Sequence, residues 1–229
     1  LNFIIILNEG QATKLIKEKL INQDRIIKCY QGIETQNEIT EKKLSKEIHF
    51  LSCGRLVHVK NTPQIINFIQ HVSKFLNNYE IIYTCIGNGP QYDFIKKFAK
   101  FDRVKFNLIR KVPSLCNYLK ENNIDFFINL SFSEGMSFAV MEAMSLGIPV
   151  ICSNIPGNTE IINNKNGYVL KLLNNLEMQK IIEDIKKDLE NKTFYDKKVE
   201  AVNFVKKRLD RKIVLQQMKN LLVNRLLLN

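Results

Sequence analysis

The stretch from Asp125 to Ile151 constrains this chain more than any other. The run Asp125 to Leu130 is apolar enough for a strand buried on both faces. A polar elbow follows, Ser131 to Ser137, with Gly135 inside it. From Phe138 onward, apolar and polar positions alternate at helical spacing, and Ser137 stands where an N-cap belongs. Gly147 ends the helix, and Pro149 to Cys152 begins another strand. A strand, loop, helix and strand in this order form a unit of a parallel sheet. The loop lies at the carboxyl end of a strand and opens onto a helix N-terminus. Open parallel sheets bind ligands there, because unpaired backbone N–H groups suit an anion.

Two carboxylates flank the elbow, Glu134 in the loop and Glu142 further along the helix. Either would repel a phosphate, yet each can accept hydroxyl hydrogen bonds on both oxygens. Anion-binding amides beside hydroxyl-binding carboxylates describe a nucleotide-sugar site. Taken singly, each Glu also reads as an ordinary solvated side chain. The pair has company, however. Glu134 and Glu142 are separated by seven residues, Gly135 follows the first and Ala143 the second, and Gly147-Ile148-Pro149-Val150 comes next. This arrangement resembles the donor-site signature of the retaining glycosyltransferases of family 4, enzymes of the GT-B fold. The resemblance continues through Pro156-Gly157-Asn158-Thr159-Glu160 and Asn166-Gly167-Tyr168-Val169.

Composition sets looser bounds. The chain has 229 residues, 45% hydrophobic and 25% charged, an ordinary globular balance. No apolar run approaches the roughly 18 residues that would span a bilayer. The run Leu1 to Leu7 is too short for a signal peptide and lacks a basic flank. The chain starts without Met and reads as a piece of a longer protein. Its five cysteines are widely spaced and fit buried free thiols in a reducing cytoplasm, and its three histidines show no metal-ligand spacing. No metal site is expected. The net charge of +11 favours anionic partners, although abundant Lys also raises it without any function attached.

Before the central stretch, Asn2 to Leu7 reads as a short strand, Gly10 to Ile21 as a helix and Arg25 to Tyr30 as a second strand. Tyr30-Gln31-Gly32-Ile33-Glu34 resembles the family's "valine-isoleucine-asparagine-glycine-isoleucine-aspartate" phrase, and Thr35 to Lys46 reads as a linker. The resemblance therefore implies that residues 1–46 are the tail of an N-terminal, acceptor-binding domain plus a linker. Residues 47–229 would be the donor-binding domain with its C-terminal helices. Alternating strands and helices predict a Rossmann-like, doubly wound parallel α/β sheet, the C-terminal half of a GT-B glycosyltransferase.

Gly54-Arg55-Leu56 followed by Lys60-Asn61 resembles the family's Gly-Arg-Leu-x-x-x-Lys-Gly turn, with Asn61 in place of Gly. Asn tolerates a left-handed backbone, so the turn can survive. The resemblance gives Arg55 and Lys60 the donor diphosphate, where a guanidinium fork and an ammonium suit phosphate oxygens. It gives the donor sugar to Glu134 and the amides of Gly135, Met136, Ser137 and Phe138, and the ribose to Glu142. The loop carrying Arg110 would rest against the base, and Gly157 would present backbone near the diphosphate. Glu160 is either a donor contact or a carboxylate favoured by the dipole of a helix beginning at Thr159. Thr62, as N-cap with Pro63 at the first helical position, and Val112 are expected to open two further helices. Gly87-Asn88-Gly89-Pro90 reads as a tight strand-to-helix turn, since the third Gly of a dinucleotide fingerprint is missing.

The resemblance thus implies transfer of a sugar from a UDP or GDP donor to a saccharide or lipid-linked acceptor, without metal, in the cytoplasm and in cell-surface polysaccharide or lipopolysaccharide synthesis. This piece alone is expected to bind donor and transfer little. A C-terminal helix with Ile213, Val214, Met218 and Leu221 among basic residues can dock on protein or lie at the inner face of a membrane. The alternatives are a GT-B sugar-nucleotide epimerase, whose acid–base set is not evident here, and a basic nucleic-acid-binding domain, for which no reader motif is present. Nucleic acid is therefore not the expected partner.

Overall fold

The computed structural model describes residues 3–35, 46–191 and 193–227. Most of the expected linker, residues 36–45, lies outside the described residues. Ahead of it, β1 (Ile4–Ile6), α1 (Glu9–Lys17) and β2 (Ile26–Lys28) form a small unit with its two strands parallel. The main sheet comprises β3 (Glu47–Cys53), β4 (Glu80–Ile86), β5 (Val104–Ile109), β6 (Phe126–Asn129), β7 (Val150–Ser153) and β8 (Gly167–Leu170). Its order is β5-β4-β3-β6-β7-β8 and every pairing is parallel. The helices between them are α2 (Thr62–Phe75), α3 (Tyr92–Phe98), α4 (Leu115–Glu121), α5 (Phe138–Ser145) and α6 (Pro156–Thr159). Then come α7 (Asn175–Asn191), α8 (Thr193–Arg208) and α9 (Arg211–Leu227).

Helices cover both faces of the sheet, as the strand composition requires. In β6 all four residues are buried, with Phe126 and Ile128 on one side and Phe127 on the other. Ile65, Ile66 and Ile69 of α2 pack with Ile182 and Ile185 of α7 on the first side. Val140, Met141 and Met144 of α5 pack with Ala201 and Val205 of α8 on the second. Phe50 of β3 stacks on Phe126 of β6, with ring centroids 5.0 Å apart. Burying a side chain of this size stabilises by about 1.5–3 kcal/mol, so these two layers supply the frame on which the loops rest.

Several expected boundaries move, each for a local reason. The N-cap of α2 is Asn61, at φ 51°, rather than Thr62, so Pro63 falls one position deeper. The helix α4 starts at Leu115 and not at Val112: Val112 precedes Pro113, which disfavours helical backbone there, and Ser114 accepts the Asn117 N–H at 3.3 Å. The short helix near Glu160 begins at Pro156, which leaves Glu160 at its C-cap. The dipole explanation for that carboxylate therefore fails. In α9, Val214 is buried while Leu215, Leu221 and Val223 are exposed on more than one side, so the described side chains form no single apolar stripe. Its first turn docks on residue 33, where Ile33 N–H meets Leu209 O and Arg211 N–H meets Ile33 O, both at 2.8 Å.

The C-terminus of α5 is closed as expected. Gly147 adopts φ 71°, its N–H donates to Met144 O at 3.0 Å, and Ile148 N–H donates to Ala143 O at 3.0 Å. These are the paired bonds of a Schellman ending. A side chain is strained at that backbone conformation. Gly147→Ala is expected to lower stability by roughly 1–2 kcal/mol, read as an earlier urea midpoint with an unchanged m-value.

Candidate functional site at the carboxyl ends of the third and sixth strands

The strand order turns back between β3 and β6, and the loops that leave those two strands enclose the candidate site. From β3 the chain runs through Gly54, Arg55 and Leu56 into a 3-10 turn, His58–Lys60, and Asn61 then swings it into α2. From β6 it runs through Leu130 and Ser131 into the elbow before α5. The two loops are tied together. Phe132 N–H donates to Val59 O at 2.9 Å, the Asn61 side-chain amide donates to Leu130 O at 3.2 Å, and the His58 and Phe132 rings stack.

This tie brings two of the sequence candidates into contact. Lys60 Nζ forms an ion pair with Glu134 Oε1. The same oxygen lies 2.8 Å from the Ser131 hydroxyl and 3.4 Å from Asn129 Nδ2. Lys60 is a quarter exposed at its side chain and Glu134 a tenth, so the pair faces the crevice without being sealed in. One ammonium beside one carboxylate gives the site no net charge from the pair, and the ammonium keeps donor capacity for an incoming anion. Gly54 lies under the Lys60 stem, 3.4 Å from Lys60 Cε to the place where a Cβ would stand.

Arg55 is exposed at the rim and makes no ion pair among the described residues. Arg110 stands farther along the sheet edge. It donates to Asn88 Oδ1 at 3.0 Å and stacks 3.7 Å over the Tyr92 ring. The Gly87-Asn88-Gly89 turn serves packing. A Cβ on Gly87 would come within 2.0 Å of Gly54 O, and Leu56 N–H bonds Asn88 O at 2.9 Å.

Ser137 takes the N-cap place by backbone alone, at φ −82° and ψ 116°, and its hydroxyl caps nothing. The first N–H groups of α5 have no acceptor within the helix, and this missing cap leaves them unclaimed. Met136 is buried beneath the elbow, and Phe138 is exposed. Glu142 lies apart from Glu134, half-buried and facing a recess lined by Gly32, Ile33, Cys116 and Arg211. Burial disfavours its charged form and raises its pKa.

Gly157 and Glu160 occupy unexpected surroundings. A Cβ on Gly157 would stand 2.4 Å from Glu134 O and 2.5 Å from Gly135 O, so this glycine lets the elbow lie directly on α6. The Glu160 carboxylate accepts Glu9 N–H at 2.6 Å and pairs with Lys28 Nζ at 2.7 Å. Burial works against the Lys28 charge, but the Glu160 and Glu9 carboxylates outweigh it and hold the Lys28 pKa above the ordinary value.

The sequence reading passed over the buried polar residues beneath the elbow. Asn129, Ser131, Ser153 and Asn158 form a chain of hydrogen bonds behind Glu134, with Ser153 Oγ donating to Ser131 O at 2.6 Å and Asn158 Nδ2 donating to Ser153 O at 3.2 Å. A polar Asn at the end of an otherwise apolar strand was the available signal. Cys53 also borders the crevice, but burial foremost pushes its thiol up to about 11, which keeps it protonated at neutral pH. Among the described residues, no three His, Cys, Asp or Glu side chains gather where they could hold a metal.

Residues 34–206 match the family described as glycosyl transferases group 1. The chain belongs to that family. It is 33% identical over 138 residues to the capsular polysaccharide biosynthesis glycosyltransferase CapH of Staphylococcus aureus, a match covering 58% of this chain and 37% of CapH. It is 25% identical over 226 residues to the UDP-Gal:alpha-D-GlcNAc-diphosphoundecaprenol alpha-1,3-galactosyltransferase of Escherichia coli, covering 89% of this chain and 57% of that enzyme. The chain thus spans about a third to little more than half of these relatives' length. The crystal structure of Anabaena HepE with UDP and glucose shares the fold, with a TM-score of 0.76 and 16% identity over 97% of this chain and 63% of HepE. The observed sheet is the doubly wound half of a GT-B glycosyltransferase, as expected. Neither the epimerase nor the nucleic-acid reading draws support from these matches. Among the described residues no helix is long and apolar enough to cross a membrane.

The raised pKa of Glu142 has a measurable consequence. The folded state favours its protonated form, so its contribution to stability is greatest below the ordinary value of 4.5 and is lost as pH rises through the folded pKa. Carboxyl carbon NMR should place Glu142 above 4.5, and Glu142→Gln should flatten the stability change across that window. A Glu142 resonance titrating at or below 4.5 would contradict the burial argument.

Proposed function

We propose that this protein is a retaining glycosyltransferase that moves a sugar from a nucleoside diphosphate to a saccharide or lipid-linked acceptor in cell-surface polysaccharide synthesis. The observation that carries the reading is the juxtaposition of Lys60 and Glu134 with the uncapped N-terminus of α5, at the point where the strand order reverses. Such a place offers cations and free N–H groups to phosphates and a carboxylate to sugar hydroxyls. Family membership narrows the chemistry to glycosyl transfer. The name of the E. coli relative, with a UDP-linked donor and a diphosphoundecaprenol-linked acceptor, supports UDP as the nucleotide and a lipid-linked acceptor. The HepE structure, solved with UDP and glucose, points the same way.

In this reading Arg55 turns inward from the rim when donor binds and, with Lys60, stabilises the diphosphate as charge develops on it. Glu134 and the amides of Gly135 to Phe138 hold the sugar, with Gly54 and Gly157 giving the backbone room. Glu142 holds the ribose, and the loop carrying Arg110 supports the base. Two cations and a helix end take the leaving-group charge, so no metal is invoked. Retention is supported by the resemblance of the Glu134–Glu142 signature to that of retaining enzymes. Residues 47–227 carry the donor side, while the acceptor side draws on a second domain to which residues 3–35 belong. The work is assigned to the cytoplasm, at the inner face of the membrane where a lipid-linked acceptor is presented.

Calorimetry against UDP and GDP sugars tests the reading directly. Arg55→Ala is expected to weaken donor binding by roughly 1.5–3 kcal/mol, the scale of a hydrogen bond to a charged group. Unchanged affinity in a folded variant removes Arg55 from the site. The two carboxylates separate by ligand. Glu134→Gln is expected to weaken the nucleotide sugar more than the bare diphosphate, while Glu142→Gln weakens both alike. Equal losses for both ligands in both variants would sink that division.

A further inference from the structure

Asn8 stands just past the carboxyl end of β1 and is 2% exposed. Its Oδ1 accepts the Gln11 N–H at 3.0 Å and caps α1. Its Nδ2 lies 2.6 Å from Gly135 O and 3.2 Å from Glu134 O. One buried side-chain amide thus spends its acceptor on its own helix and both its hydrogens on two consecutive carbonyls of the elbow.

The direction of those carbonyls has a consequence. In a trans peptide the C=O of one residue and the N–H of the next point in opposite directions. Drawing Glu134 O and Gly135 O toward Asn8 turns the N–H groups of Gly135 and Met136 away from it. Neither N–H meets an acceptor among the described residues. From α6, Gly157 closes on the same two carbonyls, where a Cβ would stand 2.4 and 2.5 Å from them. The unit bearing Asn8 is itself anchored. Glu9 N–H and Lys28 hold the Glu160 carboxylate at 2.6 and 2.7 Å, and Gly10 lies so close to Pro156 that a Cβ there would come within 2.8 Å of its ring.

We propose that Asn8 is a positioning residue of the donor site: its amide fixes two peptide planes of the elbow so that the Gly135 and Met136 N–H groups face the bound nucleotide sugar. The inference rests on the donor-site reading given above. It assigns to the N-terminal segment, 126 residues from the elbow, a share in shaping the donor pocket.

Asn8→Asp tests it, because the carboxylate keeps the capping oxygen and replaces the two-pronged donor with an oxygen facing two carbonyls. Asn8→Ser keeps a small capping oxygen without adding charge and serves should the Asp variant misfold. The probes are UDP, UDP-glucose, UDP-galactose, UDP-N-acetylglucosamine and GDP-mannose, measured by calorimetry. The folded variants are expected to bind the preferred nucleotide sugar about tenfold more weakly, the scale of losing one or two neutral hydrogen bonds to the sugar, with a smaller loss for the bare nucleotide. A second readout needs no ligand: the Gly135 and Met136 amides should gain fast motion in heteronuclear NOE while the α1 amides do not. Wild-type affinities in either folded variant, with both amides rigid, overturn the proposal and leave the donor site standing. A wild-type protein that binds none of the probes overturns the donor reading and this proposal with it.

Discussion

The loops of the candidate site depend on where the sheet changes direction. After β3 the chain builds outward through β4 and β5, then returns to lay β6 against the other side of β3. The loops leaving β3 and β6 therefore depart to opposite faces, and a crevice opens between their starting points. Lys60 comes from one loop and Glu134 from the other, although they lie 74 residues apart in sequence. Had β4 returned between β3 and β6, the two side chains would be separated by the width of a strand, and the ion pair could not form.

Within the crevice the Lys60–Glu134 pair is balanced, while Arg55 at the rim makes no ion pair among the described residues. Glu134 shares one oxygen among Lys60, Ser131 and Asn129, which fixes the carboxylate without an unpaired buried charge. Arg55 at the rim and the amides at the start of α5 are the remaining electropositive features, and among the described residues no side chain caps those amides. A nucleoside diphosphate sugar, the ligand proposed above, would meet both, its phosphates at the cations and its hydroxyls at the carboxylate and the elbow amides. Membership of the glycosyl transferases group 1 family fits that demand.

The small unit at the N-terminus joins this site through hydrogen bonds to backbone carbonyls and a paired carboxylate. Its polar contacts replace what a short apolar patch could not supply alone: β1 and β2 have three residues each, and only Ile6 and Ile27 among these six are buried. Glu160 illustrates the exchange. Its neighbours Lys28 and Glu9 N–H take its carboxylate, so in this state it braces the junction.

How much of this was legible beforehand follows from the range of the forces concerned. Hydrophobic periodicity and the glycine and proline punctuation depend on neighbours a few residues away, and they located every strand but β8, most helix starts, the αL ending at Gly147 and the left-handed Asn61. The spacing of Glu134 and Glu142 and the Gly54–Lys60 turn also lay within short windows, which made the family resemblance visible. The cap expected at Thr62 and the helix start expected at Val112 were local competitions, in which a left-handed Asn took the cap and a following Pro delayed the helix. The contacts that join distant segments had no such signature. Asn8 could be seen as a polar residue before a helix, but its grip on Glu134 O and Gly135 O, the burial of Asn158 beneath the elbow and the demand for Gly at 157 arise only when the sheet order brings segments more than twenty residues apart against one another. Hydrogen bonds between a side chain and a remote backbone leave no period in a sequence. The amino-acid order by itself determined a doubly wound α/β chain with a motif that resembles a donor site, and tertiary packing decided which polar groups hold that motif, because only packing sets the distances at which those groups can bond.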